Sequence, residues 1–233
     1  MMTRASGNLE PIAVALDTPD WSRFEEWCRL FGPRVGVLKV GLEAFVRWGR
    51  PAVETALTHG RRVFLDLKLH DIPNTVAGAV AAASDLGVHY LTIHAGGGFE
   101  MMRQAKQAAG PELRLLAVTV LTHLDEPSLE ALDLPGTSSE RARRWAVLAQ
   151  QAGAAGVVSS ALEVETLRRH LPAPFELVTP GIRWQGTDAG DQRRVAGPRQ
   201  ALDRGADLLV IGRPLTAAPD PGQALAELEA LLG

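Results

Sequence analysis

One pattern constrains this chain more than any other. A short run rich in Val, Ile and Leu, a turn signal and then an Ala/Leu/Arg-rich stretch recur eight times. The apolar runs fall at 12–16, 37–40, 62–67, 90–94, 113–121, 156–159, 176–179 and 208–211. Eight units in 233 residues leave about 29 each, room for a strand, a helix and two short connections. The expected fold is therefore α/β, a (β/α)8 TIM barrel. It would occupy 1–233 as one domain, since no Pro/Gly/Ser linker is long enough to divide the chain. An open doubly wound sheet is the alternative, but it would normally offer a glycine-rich phosphate turn after the first strand. Here that turn reads Asp17-Thr18-Pro19-Asp20.

A near-neutral net charge of −3 and the absence of a basic run argue against nucleic acid or a membrane surface as partner, leaving a small molecule. Cys28 is the only cysteine, which excludes an intrachain disulfide, a CxxC redox pair and a cysteine zinc cluster. Beside Trp27 and Leu30 it reads as a buried structural thiol. Residues 1–11 hold no apolar signal core, and the longest apolar runs, such as 115–121, fall far short of the ~18 residues of a membrane span. A reducing cytoplasm is the expected location.

The densest polar cluster is DLKLHDIPNT, 66–75. Alternation along a strand points Asp66 and Lys68 to one face and Leu65, Leu67 and Leu69 to the other, with Asp71 just beyond in the loop. A buried ion pair fixing the barrel rim is the plain interpretation. Buried ions are costly, however, and three charges within six residues of an apolar strand point to a site. Arginine outnumbers lysine 21 to three in this chain, so a cation needed only to pair with a carboxylate would have been arginine. Lys39 and Lys68 both end strands, whereas Lys106 reads as a solvated helix residue. Carboxylates two residues before and three after Lys68 surround it as an ammonium rather than a free amine, which suits a proton donor better than a Schiff base. Asp17, Asp66 and Asp71 could offer magnesium its oxygen ligands, but two lysines compete for the same charge, so a metal is not expected.

VIGRPL, 210–215, has the make-up of a phosphate site: Gly212 admits a ligand to the backbone, Arg213 adds a cation and Pro214 opens a helix. Barrels often place such a site after strands seven and eight, and Arg183 in VTPGIR adds a second arginine. The segment 123–139 and the stretch after 180–183 are expected as surface loops or lids. His94 reads as a hydrogen-bonded structural histidine, and His70 and His123 as loop residues.

These segments together resemble the bacterial orotidine 5'-phosphate decarboxylase family. The matches are VALDTPD (14–20), LKVGLEAF (38–45), FLDLKLHDIPNTV (64–76), LTIHAGGG (91–98), VTVLT (118–122), VTPGIR (178–183), Asp191-Gln192 and VIGRPLT (210–216). The resemblance implies a homodimeric barrel that converts orotidine 5'-monophosphate to uridine 5'-monophosphate and CO2 without cofactor. It implies a charged array of Lys39, Asp66, Lys68 and Asp71, with Asp71 and Ile72 reaching the neighbouring subunit's site. Asp17 and Thr75 would hold ribose hydroxyls and Thr122 would meet the pyrimidine. Gln192, Arg183, Gly212 and Arg213 would hold the phosphate. The chain departs from the pattern at His123, where a small serine-like residue is expected, and at Trp184, where proline is expected. Two alternatives share the barrel. Magnesium-dependent sugar-phosphate decarboxylases and aldolases are similar in their Asp-x-Lys-x-x-Asp core but carry a carboxylate where this chain has Lys39. A non-catalytic nucleotide-phosphate binding barrel would need the phosphate groups alone.

Overall fold

The computed structural model describes residues 9–134, 136–184 and 195–233. Eight parallel strands close into a barrel in sequence order: β1 (Ile12–Ala15), β2 (Val37–Gly41), β3 (Val63–Leu69), β4 (Tyr90–His94), β5 (Arg114–Val118), β6 (Gly156–Val158), β7 (Glu176–Thr179) and β8 (Leu208–Ile211). The ring closes where β8 pairs with β1, Ala13 lying opposite Val210. All eight expected strands are present, and the open-sheet alternative is excluded. The helices that cross between them are α1 (Trp21–Phe31), α2 (Leu42–Trp48), α3 (Arg50–His59), α4 (Pro73–Asp85), α5 (Gly98–Ala108), α6 (Glu126–Ala131), α7 (Ser138–Gln151), α8 (Val164–His170) and α9 (Pro198–Asp203). After β8 come α10 (Arg213–Thr216) and α11 (Pro221–Leu232). Among the described residues no helix is long and apolar enough to cross a membrane.

Strand alternation divides the core into two layers. Ile12, Val14, Leu38, Val40, Leu65 and Leu91 face outward and pack with the helices. Ala13, Val37, Phe64, Tyr90, Leu116, Val178 and Leu208 fill the barrel interior. Following the interior positions toward the C-terminal ends of the strands, the chemistry changes. In β2 Val37 gives way to Lys39, in β3 Phe64 to Asp66 and Lys68, and in β4 Tyr90 to Thr92. At the opposite end the interior is closed by Arg62, whose guanidinium donates to Glu10 at 2.6 Å and to the Tyr90 hydroxyl at 3.2 Å.

Several strand ends differ from expectation by one or two residues, β3 running on to Leu69 rather than 67, and two stretches differ more. Strand β5 stops at Val118, not at 121, because Val120 turns into a small cluster with Leu129 of α6 and Ala142 of α7. The expected loop at 123–139 contains α6, capped by the Asp125 carboxylate on Ser128 N, and leads into α7 through a capping box of Thr137 and Glu140. Cys28 is fully buried in α1, and burial pushes its thiol up to about 12.

Candidate active site

Strand β3 is irregular where the charges sit. Leu65 lies opposite Leu91 and Leu69 opposite Ile93, so β3 uses four residue steps where β4 uses two. The extra residues form a bulge, a device that re-aims side chains near sites. Lys68, at its end, has a φ of +51°, a left-handed conformation that costs an ordinary residue of order 1–3 kcal/mol. The expectation that Asp66 and Lys68 share a face holds despite the bulge. The Lys68 ammonium donates to Asp66 Oδ1 at 2.8 Å.

Around that pair the site is a chain of alternating charges. Lys39 Nζ lies 3.3 Å from Asp66 Oδ2 and 3.3 Å from Asp17 Oδ2, joining β2 to β3 and to the turn after β1. Its side chain is 7% exposed against 33% for Lys68, so Lys68 is the more open of the two ammoniums that face the cavity. Burial alone would lower the Lys39 pKa, but Asp66 and Asp17 raise it above the ordinary lysine value. Burial likewise opposes the charge on Asp66. Lys39 and Lys68, with hydrogen bonds from Lys68 and Thr92, hold its carboxyl below the usual range. The lysine ammonium thus sits between the two carboxylates that a divalent cation would need. Among the described residues no group of three His, Cys, Asp or Glu side chains is placed to hold a metal ion.

A cavity of about 320 Å3 opens above the array, within the range of small-molecule sites. Lys39, Asp66 and Lys68 line one part of it. Arg183 after β7 and Gly212 and Arg213 after β8 line another, with Thr122 and His123 after β5 alongside. Gly181, also on the wall, has a φ of +76°, which only glycine adopts without cost. Asp71, Ile72 and Thr75 are exposed and do not line this cavity. Asp71 instead accepts the Ile72 N–H at 2.6 Å, at the entry to α4. Gln192 lies outside the described residues.

Sequence reasoning missed Thr92 and Gly41. Thr92 is fully buried and joins the array through its hydroxyl, as taken up below. A Cβ at Gly41 would stand 2.2 Å from Asp17 Oδ1 and 2.9 Å from Lys39 Nζ, so a side chain there would push the pair out of its present geometry. Both share the inward parity of a neighbour on the same strand, Tyr90 for Thr92 and Lys39 for Gly41, and that parity was the available signal. His94 is the structural histidine expected. Its Nδ1 accepts from Gly96 N at 3.0 Å, and its ring stacks on His70 and meets the edge of Trp145. Burial, then His70 and Lys68, push its pKa down to about 4.

Comparison with known proteins gives a consistent result. The family described as "Orotidine 5'-phosphate decarboxylase / HUMPS family" matches residues 10–228. The chain is 52% identical over 224 residues to the orotidine 5'-phosphate decarboxylase of Thermobifida fusca (strain YX), covering 95% of both chains. It is 51% identical over 216 residues to that of Anaeromyxobacter dehalogenans (strain 2CP-1 / ATCC BAA-258), covering 92% of this chain and 95% of the relative. Among solved structures it is similar to the orotidine 5'-phosphate decarboxylase from Lactobacillus acidophilus, with a TM-score of 0.83 and 33% identity, covering 96% of this chain and 99% of that one.

Proposed function

The chain belongs to the orotidine 5'-phosphate decarboxylase / HUMPS family, and on that premise we propose that it decarboxylates orotidine 5'-monophosphate to uridine 5'-monophosphate in pyrimidine biosynthesis, with Lys68 as proton donor. The observation that carries this is the Lys39–Asp66–Lys68 array, open to the cavity through Lys68, with two arginines on the same cavity's wall.

In this reaction the bond between C6 and the carboxylate breaks, CO2 leaves, and the electron pair stays on C6. That pair lies in the ring plane with no π system to accept it, so a fixed positive charge must stabilise it. The Lys68 ammonium provides that charge and then transfers one N–H proton to C6, leaving a neutral amine that is reprotonated from water. Asp66 holds Lys68 in place and stands near the departing carboxylate, where its charge disfavours the bound ground state. Lys39 keeps Asp66 ionised and fixed. Asp17 holds a ribose hydroxyl, Thr75 reaches a ribose hydroxyl in the partner's site, Thr122 meets the pyrimidine, and Arg183, Gln192, Gly212 and Arg213 hold the phosphate. Phosphate binding then supplies free energy for closure over the base.

The whole of 1–233 acts as one catalytic domain in a cytoplasmic homodimer. Exposed apolar side chains support the dimer: Leu42, Val46, Ile72 and Phe99 follow three consecutive strands, β2, β3 and β4, at the C-terminal end of the barrel. Asp71 and Ile72 project there, away from their own cavity, and complete the partner's site.

The test is loss of orotidine 5'-monophosphate absorbance with purified protein, in the presence and absence of excess chelator. Equal turnover in both is expected. Turnover abolished by chelator would favour the magnesium-dependent alternative, and tight nucleotide binding without turnover would favour a binding barrel.

A further inference from the structure

Thr92 occupies an interior position of β4, fully buried, where a strand this apolar would ordinarily carry another aliphatic residue. Its hydroxyl has two partners, and both belong to the charged array. It donates to Asp66 Oδ1 at 2.9 Å, and it accepts the backbone N–H of Lys68 at 2.8 Å. The second bond replaces one the sheet cannot make. Between Leu65 and Leu69 the β3–β4 register is broken, and the Lys68 amide bonds to a side chain of β4 instead of a β4 carbonyl. A buried amide left without any partner would cost about 1–3 kcal/mol. Lys68 also holds a left-handed backbone, a state that persists only where neighbouring groups fix it.

We infer that Thr92 is a positioning residue that sets the direction of the Lys68 ammonium, gripping the Lys68 backbone with one side of its hydroxyl and the Asp66 carboxylate with the other. Asp66 Oδ1 is the same oxygen that receives the Lys68 ammonium, so one hydroxyl fixes both the root of the lysine side chain and the anchor of its tip. A threonine suits this place because its γ-methyl fills the apolar interior while the hydroxyl reaches the bulge. Valine keeps the shape and removes both bonds, and serine keeps both bonds and removes the methyl. The proposal rests on the assignment of Lys68 as proton donor, and the experiment separates the two.

Steady-state kinetics on Thr92→Val, Thr92→Ser, Thr92→Ala and Lys68→Ala, with uridine 5'-monophosphate binding measured alongside, provide the test. Loss of a hydrogen bond to a charged group predicts a fall in kcat of about 10- to 100-fold for Thr92→Val. KM and product affinity should stay within about threefold, because the hydroxyl touches the reacting ammonium's supports and not the ligand. Thr92→Ser should recover kcat to within about threefold of the parent. If Thr92→Val does not fold, the serine and alanine variants decide: serine near the parent with alanine well below supports the role, and equal losses overturn it. A Thr92→Val enzyme with unchanged kcat, or one whose loss lies in KM alone, also overturns it. Residual turnover in Lys68→Ala would instead strike the proton-donor assignment, whatever Thr92 does.

Discussion

Removing the Lys39 ammonium tests whether it braces the array. In Lys39→Met a side chain of similar length stays in place while the charge goes. At 3.3 Å from each of two carboxylates, with an effective dielectric constant near 20, the ammonium gains about 5 kcal/mol of attraction per pair. Its own desolvation takes back several kcal/mol, and breaking a buried pair from one side typically costs about 3–5 kcal/mol. Asp17 is 40% exposed and can turn to water, whereas Asp66, at 14%, cannot, so the lower part of that range applies. A loss of about 3 kcal/mol lowers the Tm of a chain this size by about 6–12 °C. The pH dependence gives the sign. Asp66 is held below its ordinary pKa in the parent, so its contribution is present above the carboxylate range and is lost as pH falls through that lowered value. Without Lys39 its pKa climbs, so the penalty is largest near neutral pH and shrinks as pH falls and Asp66 takes up a proton. Urea unfolding of both proteins between pH 4 and 8 measures the gap. A gap below about 1 kcal/mol at pH 7, or one that does not change with pH, would refute the bracing role.

Other outcomes are accessible to simple experiments. Cys28, with its thiol at about 12 and no exposed surface, should resist alkylation in native protein at pH 8 and react readily in denaturant; prompt native labelling would mean that α1 opens. His94 stays neutral to about pH 4 when folded but takes up a proton near 6.5 when unfolded, so it drains stability as pH falls between those values. His94→Gln should flatten that part of the stability profile, and an unchanged slope would remove His94 from it. Arg213→Ala should weaken substrate binding and lower kcat/KM by 10-fold or more, and an unchanged kcat/KM would take Arg213 out of the phosphate subsite. Ile72→Glu should shift sedimentation from dimer to monomer and abolish turnover, whereas an active dimer would contradict the interface at Ile72.

The barrel was legible because its signals are periodic. Eight apolar runs, each followed by a helical stretch, leave few ways to bury parallel strands on both faces, and the strand β6 was found although it is only three residues long. Lys39, Asp66 and Lys68 were legible because charge at an inward strand position is expensive without a purpose. Thr92 and Gly41 were not, since their importance lies in what stands beside them on or after the neighbouring strand. Thr92 matters because β3 bulges beside it, and Gly41 because Asp17 occupies the space its side chain would fill. The helical content of 123–139 was hidden for a related reason. Its polar, Pro- and Gly-containing sequence reads as loop, and α6 is held by the contact of Leu129 with Val120 and Ala142. Asp71 and Thr75 are exposed at the entry to α4 and do not line their own cavity, so a single chain leaves their roles open.

The central claim is that the Lys68 ammonium carries the chemistry. Lys68→Ala should fold as the parent does, bind uridine 5'-monophosphate within a few fold, and form it from orotidine 5'-monophosphate more than about 1,000-fold more slowly, since both the stabilising charge and the proton are gone. A correctly folded Lys68→Ala protein turning over within about 10-fold of the parent would contradict the account.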